Sequence, residues 1–288
     1  MAAILQHVTA GAGPRHRQPA AGRRPGLGDL RAALDEGRIR TVYQPVVRII
    51  DRQPQCLEVL ARLEHPKFGL VAPDLFVPQL EAAGLSFALT REVVARAFAD
   101  WAGARLERYD LALALNVPLD VLEHPALPAW LDEQREAAGI AAGRIWIELT
   151  ETRPVTDVAD LAHAVRCLRE SGYSLAIDDV GPGVRQAHEL LDVGFAALKL
   201  DKGLVLGSAY EPELAGLLTE TVAAAHEAGL FVVAEGVESE EVWARMLAAG
   251  VEEAQGYLIA QPMPAGDVGD WHGAWRDRHR PAAGAATI

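Results

Sequence analysis

Residues 40–63, RTVYQPVVRIIDRQPQCLEVLARL, decide the fold. Two apolar runs, 40–49 and 56–63, read as strands with about six residues between them. A parallel pair needs a crossover of a dozen or more residues, so these two strands should be antiparallel. Downstream the pattern changes. LALALNV (111–117), RIWIELTE (144–151), SLAIDDV (174–180), AALKLD (196–201), LFVVAEGV (230–237) and AQGYLIAQ (254–261) read as six more strands. Their short apolar runs suit strands buried on both faces. Helical patterns lie at 30–39, 72–84, 87–102, 126–139, 158–172, 211–229 and 239–250, several of them closed by Gly. Strands alternating with helices imply parallel βαβ units. Eight strands in roughly 250 residues predict an α/β fold, a closed (β/α)8 TIM-type barrel with an antiparallel first strand. The rival is an open doubly wound sheet, which would carry a G-x-G-x-x-G loop after its first strand; none is present.

Composition bounds the function. The chain has 288 residues, half of them hydrophobic and 23% charged, as for a globular protein with a large core. No apolar run approaches the roughly 18 residues of a bilayer span. The start, MAAILQHVTAGAG, lacks the basic region of a secretory signal, and two cysteines make no disulfide framework, so a cytoplasmic protein is expected. Residues 1–28 hold four arginines and no acid, so the rest carries −17, the chain's −13 less that +4. Such an acidic body argues against wrapping DNA. The expected organisation is a flexible basic tail (1–28), a barrel (29–270) and a C-terminal tail (271–288).

In such barrels chemistry gathers at the carboxyl ends of the strands. The polar residues there are Glu58; Asn116; Glu148 and Glu151; Asp178 and Asp179; Lys199 and Asp201; Glu235 and Glu238; and Gln255. Five or six buried carboxylates around one mouth are untenable without cations. Oxygen ligands of this kind suit Mg²⁺ or Mn²⁺. Asp178 and Asp179 cannot both point inward from a regular strand. Both can reach a metal if the backbone turns at the strand end. The histidines form no His-x-x-x-His pair, and Cys56 reads as a small core thiol.

The run CLEVLARLEHPKFGLVAPDLFVPQLEAAG (56–84) resembles the signature of the EAL-domain cyclic di-GMP phosphodiesterases, with Glu58-Val59-Leu60 as a variant of the name-giving tripeptide. The resemblance continues through YQPVV, LALALNV, IWIELTET, LAIDDVGPG, LKLDKGLV, VVAEGVESEE and EAQGYLIAQPMP, over roughly residues 30–268. It implies the same barrel with an antiparallel first strand. It also implies hydrolysis of cyclic di-GMP to linear pGpG, with two Mg²⁺ or Mn²⁺ ions activating water. Glu58, Asn116, Glu148 and Asp178 would bind one ion, and Asp178, Asp179 and Glu235 the other. Lys199 would lie beside the attacking water, with Glu235 also a candidate base and Glu151 anchoring the loop after strand five. Gln44 and Arg62 would contact the dinucleotide, and Asp201, Glu238 and Gln255 would line the pocket. A homodimer and a regulatory protein partner are further expectations. One block departs. Where active members commonly read D-D-F-G-T-G-Y-S-S, this chain reads DDVGPGVRQ, with Val180, Pro182, Val184, Arg185 and Gln186 at the altered positions. Pro182 fixes φ and removes a donor. The alternative expectation is therefore a weak or inactive member serving as a cyclic di-GMP receptor or protein-interaction scaffold.

Overall fold

A computed structural model describes residues 24–150, 155–182 and 187–280. The strands are β1 (Ile39–Arg48), β2 (Pro54–His65), β3 (Gly69–Val71), β4 (Ala112–Pro118), β5 (Ile145–Thr150), β6 (Ser174–Val180), β7 (Ala197–Leu200), β8 (Phe231–Ala234) and β9 (Glu253–Gln255). β1 runs antiparallel to β2 and to β9, while β2, β4, β5, β6, β7, β8 and β9 pair in parallel succession. Eight strands therefore close into a barrel with β1 as its reversed member, as the short 49–56 connection predicts. β3 stands outside the ring, hairpinned on the far end of β2.

Side chains alternate between two cores. Leu57, Leu113, Leu115, Ile147, Ile177 and Leu198 face outward and are buried under the helices. The inward positions hold the polar residues and, beneath them, a small separate cluster of Val46, Cys56, Ala112, Ala114 and Val233. Because several of these are alanines, the lower barrel keeps a cavity of about 180 Å³. Trp146 and Phe231 meet edge-on at its floor, ring centroids 5.4 Å apart. Cys56 lies in this layer, where burial and then Glu148 push its thiol pKa up. It is a core thiol, as expected.

Several boundaries move. The first helix spans Leu27–Asp35 and starts inside the segment assigned to the tail. β9 stops at Gln255 rather than running to 261. The chain turns at Gly256, where a Cβ would overlap the backbone of Val237. A helix, Val268–Arg278, crosses the boundary drawn at 270. Its Trp275 is buried, and the indole donates to the Arg52 carbonyl at 2.7 Å.

Candidate active site at the barrel mouth

The strand ends deliver their polar residues to one place. Lys199, on the inner face of β7, is 1% exposed. Its ammonium lies 2.7 Å from Glu235, 2.9 Å from Asp178, 3.0 Å from Glu148 and 3.8 Å from Glu58. Glu58 also accepts from the amides of Asn116 (2.9 Å) and Gln255 (2.6 Å). One cation thus sits among four carboxylates drawn from β2, β5, β6 and the end of β8. Burial alone would lower the Lys199 pKa. Asp178 and the other acids outweigh it and hold the ammonium well above its ordinary range.

The carboxylates carry the opposite strain. Burial, reinforced by Glu58 and Asp178, keeps Glu148 well above the usual carboxylate range despite Lys199. Burial likewise pushes Glu235 up to about 8, against the pull of Lys199. Asp179 opens toward the mouth, yet lost hydration and then the charge of Asp178 raise it to about 6. Burial thus holds back the ionisation of Glu148, Glu235 and Asp179, and among the described residues lining the mouth carboxylates outnumber cations.

The adjacent aspartates reach the same spot through an irregular backbone. The β6–β7 register shifts between Ile177 and Val180, and Asp179 takes a left-handed conformation at φ +55. Asp is among the few non-glycine residues that enter this region readily. Carboxylate oxygens of Asp178, Asp179 and Glu235 consequently lie within 4.8 Å of one another. Asp178 Oδ1 is buried and makes no hydrogen bond, although it is 2.9 Å from the Lys199 ammonium. Three carboxylates converging within this distance fit a hard divalent cation, which binds through oxygen.

Above this floor opens a pocket of about 490 Å³. Gln44, Glu58, Asn116, Asp178, Asp179, Glu235, Glu238 and Gln255 line it. Gln44 sits opposite Glu58 in the β1–β2 register and donates to the Ala260 carbonyl at 3.1 Å. Two expected pocket residues are placed differently. Arg62 donates to the Ala61 carbonyl at 2.8 Å, and its pKa is lowered, first by burial. Asp201 caps the helix Lys202–Gly207, accepting from Gly203 (2.8 Å) and Leu204 (3.3 Å). Glu151, Val184, Arg185 and Gln186 lie outside the described residues. Two rim residues escaped the sequence reading. Lys202 pairs with Glu238 at 2.5 Å, and its ammonium stands 5.6 Å from the Tyr257 ring centre. Their positions just beyond strand ends were the available signal.

A closed β/α barrel with a carboxylate-rich mouth at its strand ends defines the class. Comparison supplies the family: residues 27–262 match the EAL domain, and the chain belongs to that family. It is 31% identical over 230 residues to "Cyclic di-GMP phosphodiesterase PA2567" of Pseudomonas aeruginosa, covering 80% of this chain and 39% of that one. It is 30% identical over 240 residues to "Cyclic di-GMP phosphodiesterase RocR" of the same organism, covering 83% and 61%. It therefore spans less than two thirds of these relatives' lengths. Among solved structures, the PaMucR phosphodiesterase in complex with c-di-GMP superposes with a TM-score of 0.77 at 28% identity, covering 84% of this chain and 98% of that one.

Proposed function

We propose that this chain is a metal-dependent phosphodiesterase that opens cyclic di-GMP to linear pGpG. The carrying observation is the floor of the pocket: a buried lysine ringed by carboxylates, with oxygens of Asp178, Asp179 and Glu235 within 4.8 Å of one another. Relatives named as cyclic di-GMP phosphodiesterases support the choice of substrate. Asp178, Asp179 and Glu235 would hold one ion, and Glu58, Asn116 and Glu148 would share Asp178 with a second. For this, Asn116 must turn its amide oxygen inward, since its nitrogen faces Glu58 here. Mg²⁺ or Mn²⁺ would lower the pKa of water and neutralise charge on the phosphoryl oxygens.

The chain's own groups do the rest. Lys199, rigidly held and fully charged, offers its ammonium to charge that develops during attack. Glu235, beside the Lys199 ammonium at 2.7 Å, would also serve as the base that takes a proton from the attacking water. Gln255 fixes the Glu58 carboxylate. Gln44 and Arg62 would orient the dinucleotide, and Glu151 would support the loop after β6. Glu238 would line the pocket, while Asp201 acts through the helix cap it forms. A cytoplasmic homodimer, open to a regulatory partner, remains part of this reading.

The changed block after Asp179, with Val180 and Pro182, favours a second reading in which the site binds cyclic di-GMP with little turnover. One assay separates the two. Purified protein is incubated with cyclic di-GMP in Mg²⁺ or Mn²⁺, with and without chelator, and the nucleotides are resolved by chromatography. Metal-dependent pGpG supports the enzyme. Binding without product supports the receptor, and neither outcome rejects both.

A further inference from the structure

We propose that Lys202 is a movable anion-binding residue. It would leave Glu238 to contact the phosphate of the cyclic dinucleotide that is not being cleaved. The proposal rests on the phosphodiesterase reading and adds a specificity residue to it. Among the described residues lining the mouth pocket, Lys202 is the only cation, against seven carboxylates. Lys199 lies deeper and is enclosed by acids. A cyclic dinucleotide carries two phosphates on opposite sides of its ring. With one phosphate at the Asp178–Asp179–Glu235 floor, the other is directed toward the rim. Among the described residues there, Glu238 and Asp74 would repel it, Arg62 beside Asp74 is tied to the Ala61 carbonyl, and Lys202 is the cation on the lining.

The structure supplies the means for that exchange. Asp201 fixes the Lys202 backbone by capping the helix that begins there. The stem crosses Gly236, at φ +68, where a Cβ would collide with Lys202 Cγ. The seat is therefore cut for this side chain. Beyond it the ammonium is free to swing. Its side chain is 51% exposed and that of Glu238 39%, so their ion pair is screened and easily surrendered. A lysine head carries three rotatable donors on a flexible stem, which suits exchange between two anions better than a rigid fork does. The Tyr257 ring, 57% exposed, offers its face along the way.

The test compares wild type with Lys202→Met and Lys202→Arg. KM and kcat are measured with cyclic di-GMP in Mg²⁺, and Kd by equilibrium dialysis of the same ligand in chelator. The expected result for Lys202→Met is a roughly tenfold rise in KM or in Kd, with kcat within about twofold and a smaller salt dependence. Lys202→Arg should restore binding to within about threefold. Unchanged melting of the Arg variant keeps the comparison interpretable if the Met variant folds poorly. KM and Kd both within twofold of wild type in Lys202→Met overturn the proposal and leave the phosphodiesterase reading intact. A wild-type protein that neither binds nor hydrolyses cyclic di-GMP overturns that reading, and this proposal with it.

Discussion

Replacing Lys199 with Met removes the one positive charge that the described residues place at the floor of the site. Four carboxylates lie 2.7–3.8 Å from its ammonium. At an effective dielectric near 20, each such contact with an ionised carboxylate is worth about 4–6 kcal/mol, and the raised Glu148 and Glu235 contribute less than that in metal-free protein. Desolvation takes back several kcal/mol per ion, and the acids repel one another. The net effect of deleting one partner from a buried ion cluster is about 3–5 kcal/mol of lost stability. With the side chain only 1% exposed, solvent does not weaken the effect. At 2–4 °C per kcal/mol for a domain of this size, melting in chelator at pH 7.5 should fall by roughly 6–20 °C. Two conditions should restore it. Divalent metal supplies the missing charge, and acid protonates the carboxylates. Calorimetric melts in chelator, in Mn²⁺ and at pH 5.5 read all three. A loss under about 2 °C in chelator, or a deficit that neither metal nor acid reduces, refutes the electrostatic account of the site.

Glu58→Ala removes a carboxylate that Asn116 and Gln255 hold in place, and should cut turnover by roughly a hundredfold or more, read as pGpG by chromatography. Unchanged turnover contradicts its role as a ligand. Asp179 at about 6 and Glu235 at about 8 are raised, so in metal-free protein their contribution to stability is present in acid and lost as pH rises through those values. Metal binds the ionised forms, so the Mn²⁺-induced rise in melting temperature should grow between pH 5.5 and 8.5; a flat or falling increment rejects the assignment. Glu253, raised to about 7 chiefly by burial, behaves alike at the other end of the barrel. Glu253→Gln should gain about 1–3 kcal/mol over wild type at pH 8.5 and nothing below pH 4.5, by urea titration. An equal difference at both pH values excludes titration of Glu253 as its source.

The ring was legible because its signals are local. Six residues between two apolar runs force an antiparallel pair, and the runs that follow alternate with helices. The acids at strand ends were legible because carboxylates in buried strands demand a reason. β9 was drawn too long because Leu258 and Ile259 continue the apolar run, while the close approach of Gly256 to Val237 is a tertiary fact. The helix Val268–Arg278 falls mostly within the expected tail because its polar composition hides the burial of Trp275, whose indole meets the distant carbonyl of Arg52. Asp201 looked like a pocket acid from its strand position, but its carboxylate turns to the amides that follow. Lys202 lies just beyond a strand end, and nothing around it in the sequence sets it apart from other surface lysines. Only the closure of the mouth shows how little other positive charge the described residues bring to its lining.

The central claim is that Asp178, Asp179 and Glu235 form the floor of a divalent-metal site. Anomalous diffraction at the manganese edge, from crystals grown with Mn²⁺ and pGpG, tests it most directly. The account predicts a strong peak within about 2.0–2.3 Å of oxygens from all three residues, and a second bounded by Glu58, Asn116, Glu148 and Asp178. Crystals with pGpG in the pocket and no manganese at those carboxylates would contradict it.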